Sequence, residues 1–209
     1  MGGLSAAALD AVTIDAYGTL VTLVDPVPSL LTALAEQGVR REREEVAAAF
    51  RAEAAHYSRH SFEGHDEAGL ARLQRDCAQI FLSAVGADLD AEEFAPVYVG
   101  AMEFEVLPGV TAALRRLRAL GLELAVVGNW DLTMHRRLDE ADLSRFFSVV
   151  AHAARKPRPD ALLAALSELG VEPSRAVHVG DDDVDEQAAR AAGMHFAAAP
   201  LAAAVATFA

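Results

Sequence analysis

The sequence is poor in cysteine and in positive charge. Because Cys77 is its single cysteine, the chain forms no internal disulfide, and we interpret Cys77 as a reduced structural thiol in a helix. Lys and Arg number 18 against 31 Asp and Glu, and the net charge of −13 would repel a phosphate backbone. We therefore expect no nucleic-acid partner, although a local Lys or Arg still permits a small anionic substrate.

Targeting and membrane segments are also missing. The segment Met1 to Ala6 lacks a basic region followed by an apolar run, so it does not resemble a signal peptide. No apolar stretch is long enough to cross a bilayer. We predict a soluble cytoplasmic protein without a membrane partner, and we expect a monomer or a homodimer.

What is present is the composition of a globular protein, with 53% hydrophobic and 23% charged residues over 209 positions. From Pro108 onward, short β-prone runs alternate with helical patterns, which indicates a parallel sheet with helices on both faces. The predicted strands are 11–14, 122–127, 147–150, 176–179 and 194–196. The predicted helices are 110–120, one ending at 138, 159–169, one ending at 192, and one after 200.

Between about Pro26 and Gly100 the pattern changes. Glu44 to Ser58 and Glu67 to Val85 carry apolar residues at three- and four-residue intervals, and no good strand is present. We interpret this region as an all-helical insertion. The predicted organisation is a core made of residues 1–20 and 101–209, with a helical cap at residues 21–100.

Polar, glycine-flanked residues follow three of the predicted strands: Asp15, Gly128-Asn129 and Gly180-Asp181. In parallel sheets, ligands bind outside the carboxyl ends of the strands, so these residues are predicted to converge. A carboxylate at such a position is costly unless it is paired or binds metal. The acids from Asp181 to Asp185 favour a cation, and their oxygen ligands suit Mg²⁺. The helix dipole alone accounts for Asp182 or Asp183, but less well for Asp181.

Lys156 lies in the proline-fixed segment Arg155-Lys156-Pro157-Arg158-Pro159. One interpretation is that it neutralises Asp15 and an anionic substrate. The other is that it is an exposed loop lysine.

Together these segments resemble the motifs of the haloacid dehalogenase superfamily, in the family's order. Ile14 to Leu20 resembles the first motif, Val126 to Asn129 occupies the position of the second, Lys156-Pro157 resembles the third, and Gly180 to Asp185 the fourth. Ala189 to Gly193 is also similar to the family. The resemblance spans essentially the whole chain, including a helical cap inserted after the first motif.

The resemblance implies a Rossmann-like core with a mobile cap and a reaction that begins with attack by Asp15. Lys156 would then balance charge. Mg²⁺ would be bound by Asp15, the main-chain carbonyl of Tyr17 and Asp181, while Asp185 would support the metal or orient Lys156. The candidate substrate-binding residues are Thr19, Gly128, Asn129 and Arg51.

Two positions depart from the phosphatases of this family. Tyr17 stands where they carry an acid–base aspartate, whose loss typically costs ~10² to 10⁴ in rate. Gly128 replaces a hydroxyl that contacts the phosphoryl group. Tyr17 is the residue type of the 2-haloacid dehalogenases, and Arg51 lies near the position where their cap holds the halide. Asp181 and Asp185 are instead spaced as in the phosphatases.

The leading hypothesis is therefore a Mg²⁺-dependent phosphatase of a small phosphorylated metabolite. The alternatives are a metal-independent 2-haloacid dehalogenase and a catalytically degenerate binding protein. Among the lesser candidates, His56 and His60 are spaced i, i+4 but lack the glutamate of a zinc motif. His178 is interpreted as a packed strand residue.

Overall fold

A computed structural model describes residues 8–208, so the segment Met1 to Ala6, for which no signal peptide is predicted, lies outside the described part. The chain divides into two compact units. The core unit contains the residues up to Thr22 and those from Glu105 onward, and the helical unit is Leu23–Phe104.

The strands of residues 8–208 form a larger and a smaller sheet. These strands are β1 (Ala11–Ile14), β2 (Val21–Leu23), β3 (Phe104–Val106), β4 (Glu123–Val127), β5 (Val149–Ala151), β6 (Ala176–Gly180) and β7 (His195–Ala198). Five of them form a sheet of order β5-β4-β1-β6-β7 in which every neighbouring pair is parallel. β2 and β3 form a separate two-stranded sheet.

Helices fill the remainder of both units. The helical unit contains α1 (Val27–Glu36), α2 (Arg43–His60), α3 (Glu67–Val85) and α4 (Ala91–Gly100). The core unit contains α5 (Val110–Ala119), α6 (Met134–Glu140), α7 (Asp160–Leu169), α8 (Asp183–Ala192) and α9 (Leu201–Ala206). Within residues 8–208, no helix combines the length and the apolar character that a membrane span requires.

The main sheet is covered by helices on both faces, as the predicted α/β class requires. All four residues of β1 are buried, which is typical of a central strand in a parallel sheet. Ala125 and Val127, which alternate along β4, pack in one cluster with Leu162 and Leu166 of α7. The α/β class predicted from the alternating pattern is therefore confirmed.

The helical unit has its own apolar core, to which all four of its helices contribute. Residues 67–85 form the helix that the sequence predicts. Asp66 caps its start by accepting a hydrogen bond from the backbone of Gly69 at 2.7 Å. Gly86 ends it in the left-handed conformation, with φ of 66°. Cys77 is a buried free thiol on this helix, as expected.

The strands predicted from the sequence differ in detail from those of the structure. The strand predicted at 147–150 begins at Val149, because the chain up to Phe146 turns in a 3₁₀ helix and pairing with β4 starts at Val149. β2 and β3 were not predicted, since each has three residues and pairs only with a strand distant in sequence.

One buried polar pair lies inside the apolar core of the helical unit. Glu53 is 5% exposed, and the Tyr98 hydroxyl donates a hydrogen bond to it at 2.7 Å. Burial raises the pKa of Glu53, although the Cys77 and Tyr98 donors oppose that shift. The folded helical unit therefore favours the protonated carboxyl, and ionisation of Glu53 removes stability as the pH rises through its raised pKa.

We expect Tyr98→Phe to lower the free energy of unfolding by about 1–3 kcal/mol at neutral pH, because the buried carboxyl of Glu53 loses a donor. The loss should be smaller at acidic pH, where Glu53 is neutral. Urea unfolding at both pH values measures the difference. Tyr17→Phe, which changes a half-exposed phenol, is the matched control. Equal losses at the two pH values would contradict the expectation.

Candidate active site

The three polar strand ends meet at one edge of the main sheet. β1 lies between β4 and β6, and Ile14 is in register with both Val126 and Val179. The chain therefore leaves the sheet at one level, at Asp15 after β1, at Gly128 after β4 and at Asp181 after β6. This register is what brings residues from three distant parts of the sequence together.

Lys156 lies at the centre of this edge and is buried, so the alternative of an exposed loop lysine is wrong. Its ammonium group donates to Asp15 Oδ1 at 2.5 Å and to the carbonyl of Val127 at 2.9 Å. It also lies 2.6 Å from Asp185 Oδ1. All three N–H donors of the ammonium therefore have an acceptor. Lys156 is the only lysine in the chain.

Asn129 fixes the backbone of the lysine. Its side-chain nitrogen donates to the carbonyl of Lys156 at 3.1 Å, and its side-chain oxygen accepts from the Lys156 backbone N–H at 2.9 Å. This two-bond clamp joins the end of β4 to the lysine segment. Asn129, predicted as a substrate contact, thus has a positioning role that the sequence did not indicate.

A buried hydrogen-bond chain supports Asp185 from behind the site. His178 Nε2 lies 3.2 Å from Asp185 Oδ1, and His178 Nδ1 lies 2.8 Å from the hydroxyl of Thr13. Because an ionised carboxylate only accepts, Nε2 carries the proton and the Thr13 hydroxyl donates to Nδ1. The backbone N–H of Asp182 donates to the other oxygen of Asp185 at 3.1 Å.

The pKa values of these buried groups shift in different directions, because burial competes with neighbouring charges and hydrogen bonds. Burial raises the pKa of Asp15 to about 6, against the opposing effect of the Lys156 ammonium. Burial also disfavours charge on Asp185, but the His178 hydrogen bond and Lys156 outweigh it and lower the pKa of Asp185. Burial would lower the pKa of Lys156, yet its two carboxylate neighbours raise it. Lys156 therefore stays charged.

The residues fit a divalent cation. Asp15, Asp181 and Asp185 each offer a carboxylate oxygen, and these atoms lie within 4.8 Å of one another. The three carboxylates outnumber the one ammonium by two charges, and burial, followed by the charge of Asp185, raises the pKa of Asp181. Carboxylate oxygens are the protein ligands that Mg²⁺ usually takes, and the excess negative charge favours a cation.

Two neighbours of Asp181 shape this cluster. The Thr19 hydroxyl donates to Asp181 Oδ1 at 3.3 Å and is buried. Gly18 has φ of 81°, and a Cβ at that position would lie 2.1 Å from Asp181 Oδ2. Only glycine therefore allows this turn to approach the carboxylate.

The two departures from the family's motifs have different surroundings. Tyr17 is 52% exposed, and its ring packs edge to face against that of Trp130, with the ring centroids 6.3 Å apart. At Gly128, a Cβ would lie 2.9 Å from the sulfur of Met134, so packing accounts for the glycine. Arg51, the remaining candidate, is an exposed residue of α2 in the helical unit.

Comparison with known proteins identifies the family of the chain. The family model for haloacid dehalogenase-like hydrolases matches residues 9–193. The chain is 39% identical over 100 residues to haloacid dehalogenase-like hydrolase domain-containing protein 3 of Xenopus laevis, and the aligned region covers 46% of this chain and 41% of that protein. It is 37% identical over 114 residues to a phosphoglycolate phosphatase of Pseudomonas savastanoi, covering 52% and 42%.

Among solved structures, L-2-haloacid dehalogenase from Xanthobacter autotrophicus superimposes with a TM-score of 0.64 at 22% identity, over 90% of this chain and 76% of that one. The matches to the two curated relatives span less than half of either relative's length. The fold, the polar strand ends and the family match define a Rossmann-like α/β hydrolase. The chain belongs to the haloacid dehalogenase-like hydrolase family.

Two residues that support Asp185 were not predicted as members of the site. His178 was interpreted as a packed strand residue, and Thr13 was not singled out. The two residues are register partners on β1 and β6. A signal was available, because each is the one polar residue in an otherwise apolar, buried strand segment.

Proposed function

We propose that this chain is a Mg²⁺-dependent phosphatase that acts on a small anionic phosphorylated metabolite, with Asp15 as the nucleophile. The observation that carries the proposal is the buried Asp15–Lys156–Asp185 cluster with the Asp181 carboxylate beside it. Similarity to a relative named phosphoglycolate phosphatase supports phosphate-ester chemistry. We further propose a cytoplasmic monomer or homodimer without a nucleic-acid or membrane partner.

Asp15 would act through a covalent intermediate. Its carboxylate oxygen attacks phosphorus while the bond from phosphorus to the ester oxygen breaks, which gives an aspartyl phosphate and an alkoxide. The alkoxide takes a proton from water, and a second water hydrolyses the aspartyl phosphate. Lys156 holds the attacking carboxylate in place and keeps a positive charge beside it.

Mg²⁺ would be held by Asp15, Asp181 and the main-chain carbonyl of Tyr17, with Asp185 behind it. When bound, the ion offsets the negative charge of the phosphate and of the carboxylates. Asp185 is already held by Lys156 and His178, so it supports the cluster in a fixed orientation.

Because Tyr17 replaces the usual aspartate, the rate should depend strongly on the leaving group. Without an aspartate at this position, the departing oxygen lacks the acid that the family's phosphatases carry there. We therefore expect aryl or acyl phosphates to react faster than alkyl phosphates by about 10² or more, which is the usual contribution of general acid catalysis.

A panel of aryl, acyl and alkyl phosphates tests the function, with Mg²⁺ and with chelator. We expect turnover that requires Mg²⁺. No turnover on any ester by the folded protein would count against it. Halide release from 2-chloropropionate in the presence of chelator would favour the dehalogenase alternative, which rests on Tyr17.

The glycine turn beside Asp181 gives a test of the metal site. We expect Gly18→Ala to weaken Mg²⁺ binding by about tenfold or more, because the added Cβ displaces Asp181. Gly121→Ala is the control, since Gly121 has a similar φ of 78° and nothing within 4 Å of the added carbon. Both variants carry left-handed strain of about 1–2 kcal/mol. Calorimetric Mg²⁺ titrations that gave equal affinities would contradict the assignment of Asp181.

A further inference from the structure

Two histidines form a pair in the core unit that the proposed function does not use. His135 lies on α6, and His152 follows β5 directly. Nε2 of His135 lies 3.1 Å from Nδ1 of His152, and the ring planes are inclined by 72°. Two ring nitrogens therefore face each other across separate elements.

The surroundings of the pair suit metal ligation. His135 is exposed and His152 is half-buried, so an ion has access from solvent. Burial, followed by the charge of His152, lowers the pKa of His135, while Asp139 opposes this shift. Asp139 is one helical turn beyond His135, where i and i+4 side chains are neighbours.

We infer that His135 and His152 form a binding site for Zn²⁺ or another late first-row divalent cation. Two nitrogens that bind one tetrahedral Zn²⁺ at about 2.0–2.1 Å lie about 3.3 Å apart, close to the observed spacing. Imidazole is a preferred ligand of Zn²⁺, Cu²⁺ and Ni²⁺. Water would fill the remaining positions.

A second histidine pair shows that proximity alone does not give this arrangement. His56 and His60 of α2 are stacked, with ring centroids 4.1 Å apart and planes inclined by 18°. His60 Nδ1 lies 2.9 Å from the carbonyl oxygen of His56. The ring faces therefore meet in this pair, and His60 Nδ1 is bonded to the backbone instead of the other ring.

The inferred site would link α6 to the segment that carries Lys156. His152 is four residues before Lys156, and the next residue, Ala153, donates its backbone N–H to the carbonyl of Trp130 at 2.6 Å. A bound ion would therefore fasten both segments that follow β4 and β5. The inference does not depend on the proposed phosphatase activity.

The test uses the full chain without a histidine tag, with excess Mg²⁺ present to occupy the carboxylate cluster. Zn²⁺ titration calorimetry should show one ion bound, and Zn²⁺ should raise the Tm. His135→Asn and His152→Asn should each weaken Zn²⁺ binding by at least about tenfold. His195→Asn, which changes an exposed histidine of the same unit, should not.

Cu²⁺ electron paramagnetic resonance gives an independent reading of the ligands. The parent chain should show coupling to two imidazole nitrogens, and each single variant to one. This spectrum separates the histidine pair from the carboxylate cluster, whose ligands are all oxygens. Unchanged Zn²⁺ affinity in both variants, or a Cu²⁺ spectrum without nitrogen coupling, would overturn the inference.

Discussion

Asp15→Asn is expected to reduce kcat by roughly 10⁴ to 10⁶, the range seen when a nucleophile is removed from a site whose residues act as a unit. An amide oxygen is a poor nucleophile, so no aspartyl phosphate forms. The substitution keeps the shape of the side chain. It also leaves Lys156 paired with Asp185, so the fold should be retained.

Stability should distinguish this loss of chemistry from a loss of structure. Burial raises the pKa of Asp15 to about 6, so its ionised form is held in the folded protein at a cost when no cation is bound. A neutral amide removes that charge. The Tm of Asp15→Asn without metal should therefore be no lower than that of the parent protein.

Asp183→Asn is the matched control, because Asp183 is an exposed acid at the start of α8. Initial rates on the best ester of the panel, together with mass spectrometry of the trapped phosphoenzyme, measure the effect. Activity of Asp15→Asn within tenfold of the parent would refute the assignment of Asp15. It would instead favour a protein that functions without this chemistry.

Lys156→Met is expected to lower the free energy of unfolding by about 3–5 kcal/mol, the usual result of removing one partner from a buried ion pair. Met fills similar space but leaves Asp15 and Asp185 facing each other without a cation. The carbonyl of Val127 also loses its donor. Activity should fall as well, since the attacking carboxylate is no longer positioned.

Urea unfolding in the presence of chelator measures this loss. Arg158→Met is the control, because the ion pair of Arg158 with Asp160 is exposed and such pairs contribute at most about 1 kcal/mol. Adding Mg²⁺ should restore part of the stability of Lys156→Met, since the ion replaces some of the missing charge. A loss below about 1 kcal/mol would show that the buried cluster is not ionised as described.

The charge of Lys156 can also be measured directly. Because Lys156 is the only lysine of the chain, an ammonium signal in lysine-selective NMR reports on this side chain alone. Its chemical shift should stay that of the charged form through neutral pH, because its two carboxylate neighbours raise the pKa of Lys156 despite burial.

Much of the fold could be predicted because local patterns encode it. Apolar spacing predicted α3 with the bounds observed, and the four-residue run of β1 was identified as a strand. The helical character between β2 and β3 also followed from spacing. Short edge elements could not be predicted in this way: β5 begins two residues later than expected, since its start is set by pairing with β4.

The sequence by itself determined the candidate residues of the site. A carboxylate, an amide and an acidic run each follow a strand, and parallel strands place their carboxyl ends together. It also identified Tyr17 as the residue that separates this site from the usual phosphatase pattern. These conclusions need only residue identity and the order of elements.

Only the tertiary structure decided how those residues act on one another. Lys156 and Asp15 are 141 positions apart, and Thr13 and His178 are 165 apart. Their contacts arise because the sheet order places β1 between β4 and β6. Burial, which no local pattern measures, then shifts the pKa of each group, and the strand-end carboxylate Asp15 becomes the partner of the buried Lys156.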